Sequence, residues 1–480
     1  MMDTVTIAAE RTVSLAPHEV FALFGTAQGA GWLFDAHCDE VRPGAVVSLR
    51  LPLDGLGGHA VDVLGTLARV VPGAVIDIEH TQPWRGRLSL RFTPGGPRET
   101  RLQVRAHVPG EGVEWLLHRR GIPLPEPPDD GAVRLGAITN ASGSGAVYSM
   151  SAELMAELAV DEVNADGGIR GSAVHLVTAD DATDAEQAAF EAERMARLGC
   201  RAIFVNSTSA SFEAVRRAVA GWDVLVVHTV LNEGGGLSPT AVRFGERPNA
   251  QLDALVAPAM AAAGARRWFL VGQSYVWSYG AHAAAQRAIA RAGGEVAGED
   301  LRPLGTSDFS DTVAHIERSG ADLILSSLVG ADEVAFERQS HAAGLRASTR
   351  TVSLALEEAT LAHIGPRAGE GLQTALGYFQ DVPVAGNADL LRRYRAAYGV
   401  WAPAVTALSE IVYESIHQYA RVVHLDPDGP AAAHGRALRA QRAARAPDAI
   451  GRRDLLRPRL YVAQAHGSTL RILSEVGRPR

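Results

Sequence analysis

Residues 121–131, GIPLPEPPDDG, contain four prolines and three acidic residues. Proline fixes its own φ and has no backbone N–H, so a run of this kind is typical of an extended linker. The chain of 480 residues is also longer than one hydrophobic core usually supports. We therefore predict two folding parts, residues 1–120 and 132–480, joined by this linker.

The N-terminal part is rich in short strand patterns. TVTIAAERTVSL alternates apolar and polar residues, and PHEVFALF is a short helical pattern. Further strand patterns are separated by glycine and proline turns: AVVSLRLPL, VDVLGTLARVV, AVIDIEH, GRLSLRF and RLQVRAHV. Together they predict one antiparallel sheet with one or two helices.

The C-terminal part alternates strand and helix patterns. VRLGAIT, AVHLVTA, AIFVNS and VLVVHT are separated by helical stretches, which predicts a parallel sheet with helices on both faces. A second series starts near residue 250 with RWFLVGQ, EVAGEDL, ADLILSSL and TRTVSLAL. Two such series predict two lobes whose facing strand ends form a cleft that closes by hinge motion.

Composition excludes several classes of protein. The chain has no lysine, which excludes a lysine Schiff base and a phosphate-loop lysine. Its formal charge of −8 gives no support to nucleic-acid binding, and Cys38 and Cys200 are too few for a multi-cysteine metal site. The start lacks the features of a secretory signal and no apolar run would span a bilayer. We therefore expect a cytoplasmic location, unless translation starts upstream.

Polar residues cluster where the predicted strands end, in TNASGSGA, NSTSAS, HTVLNEGG and GQSYVWSYG. Hydroxyls and helix N-terminal amides suit a small polar or anionic ligand, although serines at such corners also act as helix caps. Tyr275, Trp277 and Tyr279 either line the cleft or fill the core behind it. His228 is either a ligand contact or a satisfied residue at a strand end.

Three enzyme motifs are incomplete. GSGAVY has Tyr148 where a dinucleotide fingerprint needs glycine, and GQSYV has Val276 where a nucleophile elbow around Ser274 needs glycine. DDATD lacks the spacing of a calcium loop and predicts a capped turn. We therefore expect a non-enzymatic protein without a cofactor or a metal site.

The N-terminal part resembles the START-like (SRPBCC) superfamily, especially its activator-of-Hsp90-like branch. The resemblance covers about residues 4–120: a strand, short helices with Trp32 in GWLF, and a run of strands. It implies a helix-grip-like α+β fold with a cavity for an apolar ligand, but EGVEWLLHRRG is shorter than the family's long C-terminal helix. A START-like enzyme or carrier is one alternative function, for which Asp35, His37 and His80 form no recognisable catalytic set.

Residues 132–480 resemble type I periplasmic binding proteins of the branched-chain amino-acid class, and most of all the urea- and amide-binding branch. The matching stretches are AVDEVNADGGIRG, NSTSASFEAV, GQSYVWS, GEDLRPLGTSDFS, AFERQSHAAGL, ALEEATLAHIGP and RPRLYVAQAHGSTLRIL. The resemblance implies a two-lobed α/β fold. Lobe 1 would comprise about 133–245 and 382–452, and lobe 2 about 246–381 and 453–476.

The resemblance also implies a set of ligand-binding residues: Ser142, Gly143, Ser207, Thr208, Ser209, His228, Thr229, Val230, Tyr275, Trp277 and Ser353. Ser209 matches the serine that binds the ligand's polar group, and Tyr275 matches the aromatic residue that closes over it. The family tends to have tyrosine where this chain has His228 and aspartate where it has Ser274. The ligand is therefore expected to differ from urea or an amide in size, polarity or orientation.

We expect a non-catalytic small-molecule sensor for amide-, urea- or amino-acid-like ligands, in which lobe closure is the signal. A regulatory protein would be its partner. The alternative is the substrate-binding component of an ABC importer for amino acids, urea or amides, with a permease as partner.

Overall fold

The structure, a computed structural model, describes eight stretches of the chain: residues 5–25, 35–38, 40–52, 60–96, 98–119, 131–234, 238–444 and 460–476. The chain divides into two compact units. Unit 1 comprises residues 1–128 with 398–403, and unit 2 comprises residues 129–397 with 404–480. Trp32 and all of the predicted linker except Gly131 lie outside the described residues. No helix in the described stretches is long and apolar enough to cross a membrane.

Unit 1 contains the predicted antiparallel sheet, with seven strands in the order β1-β7-β6-β5-β4-β3-β2. Val20 and Phe24 lie in its apolar core, and Trp401 fills the space beside Gly44, where a Cβ would lie 2.3 Å from its ring. The helix-grip assignment is not established, because the last helix has only ten residues. The elements are β1 (Val5–Val13), α1 (Pro17–Leu23), β2 (Asp35–His37), β3 (Val46–Pro52), β4 (Ala60–Val71), β5 (Val75–Gln82), β6 (Gly86–Gly96), β7 (Glu99–Val108) and α2 (Gly110–Arg119).

Lobe 1 of unit 2 is built on a parallel sheet of five strands in the order β12-β11-β10-β8-β9. Its first helix buries Leu154, Met155 and Leu158 and ends before Gly167, which has φ +99°. The elements are β8 (Val133–Thr139), α3 (Ala152–Ala165), β9 (Val174–Asp180), α4 (Ala185–Arg197), β10 (Cys200–Asn206), α5 (Ser209–Ala218), β11 (Leu225–His228), β12 (Ala241–Arg243), α12 (Asn387–Tyr398), α13 (Ala407–Leu425) and α14 (Ala431–Ala444).

Lobe 2 has a sheet of seven strands in the order β14-β13-β15-β16-β17-β18-β19. The first five strands are parallel, and the last two continue the sheet antiparallel. The two-lobed α/β fold predicted for this part of the chain is therefore confirmed. The elements are α6 (Pro248–Ala263), β13 (Arg267–Gln273), α7 (Val276–Arg291), β14 (Glu295–Arg302), α8 (Ser310–Ser319), β15 (Leu323–Ser327), α9 (Ala331–Ala342), β16 (Arg350–Ser353), α10 (Glu358–Ile364), α11 (Pro366–Gly369), β17 (Gln373–Leu376), β18 (Tyr461–His466) and β19 (Thr469–Glu475).

Candidate functional site

Three polar corners of lobe 1 lie side by side, because β8, β10 and β11 are neighbouring parallel strands. Asn140, Ser207 and Thr229 stand at these three corners and are all completely buried. Helix α5 starts at the middle corner, where the Thr208 hydroxyl caps the helix by accepting the Ser211 amide at 3.1 Å. The sheet order therefore gathers hydroxyl groups at one edge of lobe 1.

Ser142 and Gly143 are held by the turn that follows β9. Ser142 donates to the Asp180 carboxylate through its amide at 3.0 Å and its hydroxyl at 2.5 Å. Gly143 has φ +82°, and a Cβ there would lie 2.2 Å from the Ala182 carbonyl oxygen, so only glycine fits. These contacts explain the Ser142 hydrogen bonds and the glycine at position 143 without a ligand. A ligand role for both residues stays a prediction.

The stretch 180–184 is a capped turn, as predicted. The Asp184 carboxylate accepts two backbone amides of the first turn of α4. Ala182 and Thr183 have φ of +52° and +62°, a left-handed conformation that residues other than glycine rarely adopt. The Thr183 hydroxyl accepts the Gly145 amide at 3.0 Å, so this strained turn fixes the loop after β8.

Asp181 is a buried acid that the sequence analysis did not single out. Burial raises its carboxyl pKa to about 7, while the neighbouring hydroxyls of Ser207 and Ser211 act to lower it. In the sequence it is the second residue of DDATD, which was interpreted as a capped turn and not as part of a binding site. Asp181 links the first corner of lobe 1 to the start of α5.

Ser209, the predicted contact for the ligand's polar group, donates its hydroxyl to Oε2 of Glu233 at 2.6 Å. The loop that carries Glu233 is anchored by Asn232, whose side-chain amide donates to the Phe244 carbonyl at 2.6 Å and whose N–H donates to the Glu246 carbonyl at 3.1 Å. A carboxylate therefore lies at the N-terminus of a ten-residue helix, where the helix dipole favours negative charge. Glu233 lies in HTVLNEGG, a predicted polar corner, but it was not among the predicted ligand-binding residues.

His228, Thr229 and Val230 lie inside lobe 1. The His228 ring stacks on Phe212 at 4.5 Å, its Nε2 lies 3.0 Å from the Ser207 carbonyl oxygen, and burial lowers its pKa to about 4. Thr229 donates to a carbonyl of β10 at 3.2 Å, and Val230 is buried. These contacts need no ligand, and a ligand role for the three residues stays a prediction.

The three aromatic residues after β13 have different surroundings. Trp277 is buried within lobe 2, Tyr279 is exposed, and Tyr275 is partly buried. Burial raises the Tyr275 pKa well above its ordinary value, and Tyr148 and Glu233 of lobe 1 raise it further. Glu233 accepts from Ser209, and a Cβ on Gly280 of α7 would lie 2.9 Å from the Glu233 Cβ, so Glu233 lies between the start of α5 and the helix that follows Tyr275. The cleft role of Tyr275 itself stays a prediction.

The backbones of the two lobes touch at the N-terminus of α9. The Ala331 amide donates to the Ser144 carbonyl at 2.7 Å. Gly330 has φ +62°, and a Cβ there would lie 2.0 Å from the same Ser144 oxygen. Asp332 follows, and burial raises its pKa to about 6 despite hydrogen bonds from Gln273 and two backbone amides. Glycine at position 330 is thus required for the lobes to meet here.

Ser353 is completely buried among carboxyl groups of lobe 2. Its hydroxyl donates to Glu333 and accepts two following backbone amides at 3.2 and 3.1 Å. Burial raises the pKa of Glu333, and it raises the pKa of Glu357 to about 7 and of Glu358 to about 8. A ligand role for Ser353 stays a prediction.

A serine, a histidine and a glutamate are aligned beneath the strand ends of lobe 2. The Ser327 hydroxyl lies 3.0 Å from Nε2 of His282, whose Nδ1 lies 2.5 Å from Glu299. This is the order of a catalytic triad. However, Ser327 is completely buried, and a Cβ on Gly272 would lie 2.3 Å from its hydroxyl oxygen. A substrate therefore has no room at Ser327. The hydrogen bonds among the three residues instead connect β14, β15 and α7.

Two of the three polar candidates in unit 1, His37 and His80, have side chains among the described residues. His37 is exposed, the Asp35 side chain lies outside the described part, and His80 is buried against Trp84 with a ring distance of 5.9 Å. Burial lowers the His80 pKa to about 4. Across both units, the described residues contain no group of three metal-ligating side chains.

A groove of about 460 Å³ opens where the loop after β11, the start of α6 and helix α7 meet. Its lining includes Glu233, Arg247, Asn249, Val276, Tyr279 and Arg287. Val276 and Tyr279 are 45% and 52% exposed. The groove therefore adjoins the Ser209–Glu233–Tyr275 cluster, which we call the cleft site, and combines apolar walls with two guanidinium groups.

Comparison with solved structures identifies the same fold in several binding proteins. A leucine-binding protein from Thermotoga maritima is 18% identical with a TM-score of 0.63, over 72% of this chain and 99% of that one. A branched-chain amino-acid transporter substrate-binding protein from Streptococcus pneumoniae, in complex with isoleucine, is 16% identical with a TM-score of 0.61, over 71% and 99%. A solute-binding protein from R. palustris, in complex with benzoate, is 18% identical with a TM-score of 0.60, over 72% and 96%.

Comparison with curated proteins gives a sequence relative. Leu/Ile/Val-binding protein homolog 8 from Brucella abortus is 33% identical over 228 residues, which are 45% of this chain and 56% of that protein. The chain thus spans about half the length of this relative. The family described as "Periplasmic binding protein" matches residues 132–457, which is more than half of the chain. The chain belongs to the periplasmic binding protein family, through the two-lobed unit that carries the cleft site.

Proposed function

We propose that unit 2 binds a small solute with a carboxylate on an apolar body, and that it serves as the substrate-binding component of an ABC importer. The observation that carries this proposal is the cleft site, where Glu233 accepts from Ser209 of lobe 1 and packs against α7 of lobe 2, the helix that Tyr275 precedes. The two lobes would close over the solute without changing it chemically.

The chemistry of the site fits such a solute. The first turn of α5 offers backbone N–H groups and the Ser209 hydroxyl to an anionic group. The ring of Tyr275 offers an apolar surface from the other lobe, and an aromatic contact of this kind contributes about 1 kcal/mol beyond area burial. The carboxyl group of Asp332, directly after the contact between the lobes at Ala331, is an acceptor for an amino group on the solute.

The related proteins support the same class of solute. Isoleucine and benzoate, which two of the solved binding proteins hold, share a carboxylate on an apolar body. The importer role, weighed as the alternative in the sequence analysis, agrees with these relatives better than the sensor role, which has no support among them. The START-like identity of unit 1 and the absence of catalysis stay predictions. The cytoplasmic location was predicted together with the sensor role and is untested, whereas the importer role requires export.

A thermal-shift screen of isoleucine, benzoate, 4-hydroxybenzoate, urea and acetamide tests the proposal. A ligand at 100 times its Kd stabilises the protein by about 2.7 kcal/mol, which is readily visible as a rise in Tm. We expect the carboxylates to raise Tm, and Tyr275→Ala to weaken their Kd at least about 10-fold. Trp222→Ala removes an exposed aromatic residue of lobe 1 and serves as the matched control. Stabilisation by urea or acetamide alone would contradict the proposal.

A further inference from the structure

Glu233 occupies the position that an anionic ligand would need. Its Oε2 accepts the hydroxyl of Ser209, the first residue of α5, at 2.6 Å. The Asn232 anchor holds the base of its loop, so the carboxylate is directed to this helix end by the fold. Two carboxylates cannot share the same donors, because their charges repel and the first already fills the hydroxyl's donor capacity.

The other side of Glu233 faces the groove. A Cβ on Gly280 of α7 would lie 2.9 Å from the Glu233 Cβ, so this side chain stands at the groove wall. Arg247 and Arg287 also line the groove, and a Cβ on Gly234 would lie only 3.5 Å from the Arg247 guanidinium carbon. A carboxylate that leaves Ser209 therefore has cations within the adjoining space.

We propose that Glu233 is a resident carboxylate that occupies the anion position of the unliganded site and moves toward Arg247 and Arg287 when an acidic solute binds. This inference rests on the proposed function and adds a selectivity device to it. A neutral solute cannot compete with Glu233 for the charged interaction at α5, whereas a carboxylate can. Because displacement of Glu233 costs free energy, the wild type binds carboxylates less tightly. In return it discriminates better against neutral solutes.

Chemical rescue by acetate tests the inference without knowledge of the natural solute. Glu233→Ala leaves a carboxylate-sized space beside Ser209, and acetate alone is the probe. We expect sodium acetate, compared with sodium chloride at equal ionic strength, to raise the Tm of Glu233→Ala clearly more than that of the wild type, where acetate must first displace Glu233. Glu193→Ala removes an exposed acid of α4 and is the control. Equal effects of acetate on the wild type and Glu233→Ala, or none on either, would overturn the inference.

Benzoate titration provides a second arm that does not depend on an alanine variant that folds. Glu233→Gln should bind benzoate about 10-fold more tightly than the wild type, which corresponds to about 1.4 kcal/mol. Arg247→Gln should weaken benzoate binding in the wild type but not in the Glu233→Gln background, a coupling that a double-mutant cycle measures. Unchanged or weaker benzoate binding by Glu233→Gln would contradict the displacement.

The two arms separate this inference from the proposed function. Acetate rescue of Glu233→Ala together with no binding of the larger carboxylates would sustain the anion position and refute the proposed solute class. Binding of isoleucine or benzoate by the wild type, with no acetate rescue and no gain in Glu233→Gln, would sustain the proposed function and refute the role of Glu233.

Discussion

The strand ends of lobe 1 and lobe 2 face the same cleft with opposite chemistry. Lobe 1 presents hydroxyl groups, including those of Ser207 and Ser209, around the start of a helix. Lobe 2 contains buried carboxyl groups, including those of Asp332 at the start of α9 and Glu357 at the start of α10. Hydroxyl groups therefore distinguish lobe 1, where they surround the carboxyl groups of Asp181 and Glu233, and buried glutamates distinguish lobe 2.

This difference suggests that the two lobes contribute to binding in different ways. In lobe 1, hydroxyl and amide donors keep an anion solvated once water is excluded. In lobe 2, burial raises the pKa of Glu333, Glu357 and Glu358, which favours their uncharged forms and avoids repulsion of an anionic solute. A carboxylate held by lobe 1 would therefore meet less negative charge in lobe 2 than its number of carboxyl groups implies.

Glu357→Gln should give the largest effect, on the pH dependence of stability. Its folded pKa of about 7 lies above its ordinary value of 4.5, so the folded state holds a proton that the unfolded state has lost. Stability therefore falls as pH rises through this window, by about 1.4 kcal/mol per pH unit. Between pH 5 and pH 7, the Glu357 contribution should lower the wild type's free energy of unfolding by about 2–3 kcal/mol. The variant should not show this decrease, as measured by urea unfolding.

The exposed acid Glu193 is the control for this experiment, because Glu193→Gln should leave the pH profile as it is in the wild type. Parallel profiles for Glu357→Gln and the wild type would mean that burial does not raise the pKa of Glu357 in the folded protein. The proposed difference in charge between the binding surfaces of lobe 1 and lobe 2 would then be contradicted.

Gly330→Ala tests the point where the two lobes meet. The new Cβ would collide with the Ser144 carbonyl, and overpacking of this kind costs about 1–3 kcal/mol. We expect weaker carboxylate binding, because the closed arrangement bears that cost. Gly320→Ala is a matched control, since Gly320 has φ +64° but no atom within 4 Å of its Cβ position. Equal Kd values for the two variants, measured by calorimetry, would show that closure does not use this contact.

Ser142→Ala should have the smallest effect and distinguishes hydroxyls within lobe 1. Loss of the hydrogen bond to Asp180 should lower the free energy of unfolding by about 1 kcal/mol. Because this hydroxyl is already committed, we expect the Kd for benzoate to stay within about twofold of the wild type. A loss of affinity comparable to that of Tyr275→Ala would instead place Ser142 on the ligand, as the family resemblance implies.

Sequence periodicity was sufficient for the two sheets of unit 2 and for the strand-rich unit 1, because long strands and amphipathic helices repeat their apolar residues regularly. It missed β12 and β17, which have three and four residues and are too short to show a period. The inclusion of residues 398–403 in unit 1 was not predicted either, because that grouping depends on the contacts of Trp401 rather than on local pattern.

The candidate site was predictable only in part. Neighbouring parallel strands bring their carboxyl ends together, so the corners at Ser209 and Tyr275 follow from the strand order. Glu233 and Gly330 were not among the predicted site residues because their importance comes from Ser209 and Ser144, residues distant from them in the sequence. Asp181 was missed because burial, which no local pattern reveals, is what shifts its pKa.

Calorimetric titration with benzoate and benzamide tests most directly whether lobe 1 holds an anion. The two molecules share a ring and differ in the carboxylate, which can accept charge-assisted hydrogen bonds from Ser209 and the first turn of α5. We predict that benzoate binds at least about 10-fold more tightly than benzamide, a difference of about 1.4 kcal/mol. Equal or tighter binding of benzamide would contradict the account.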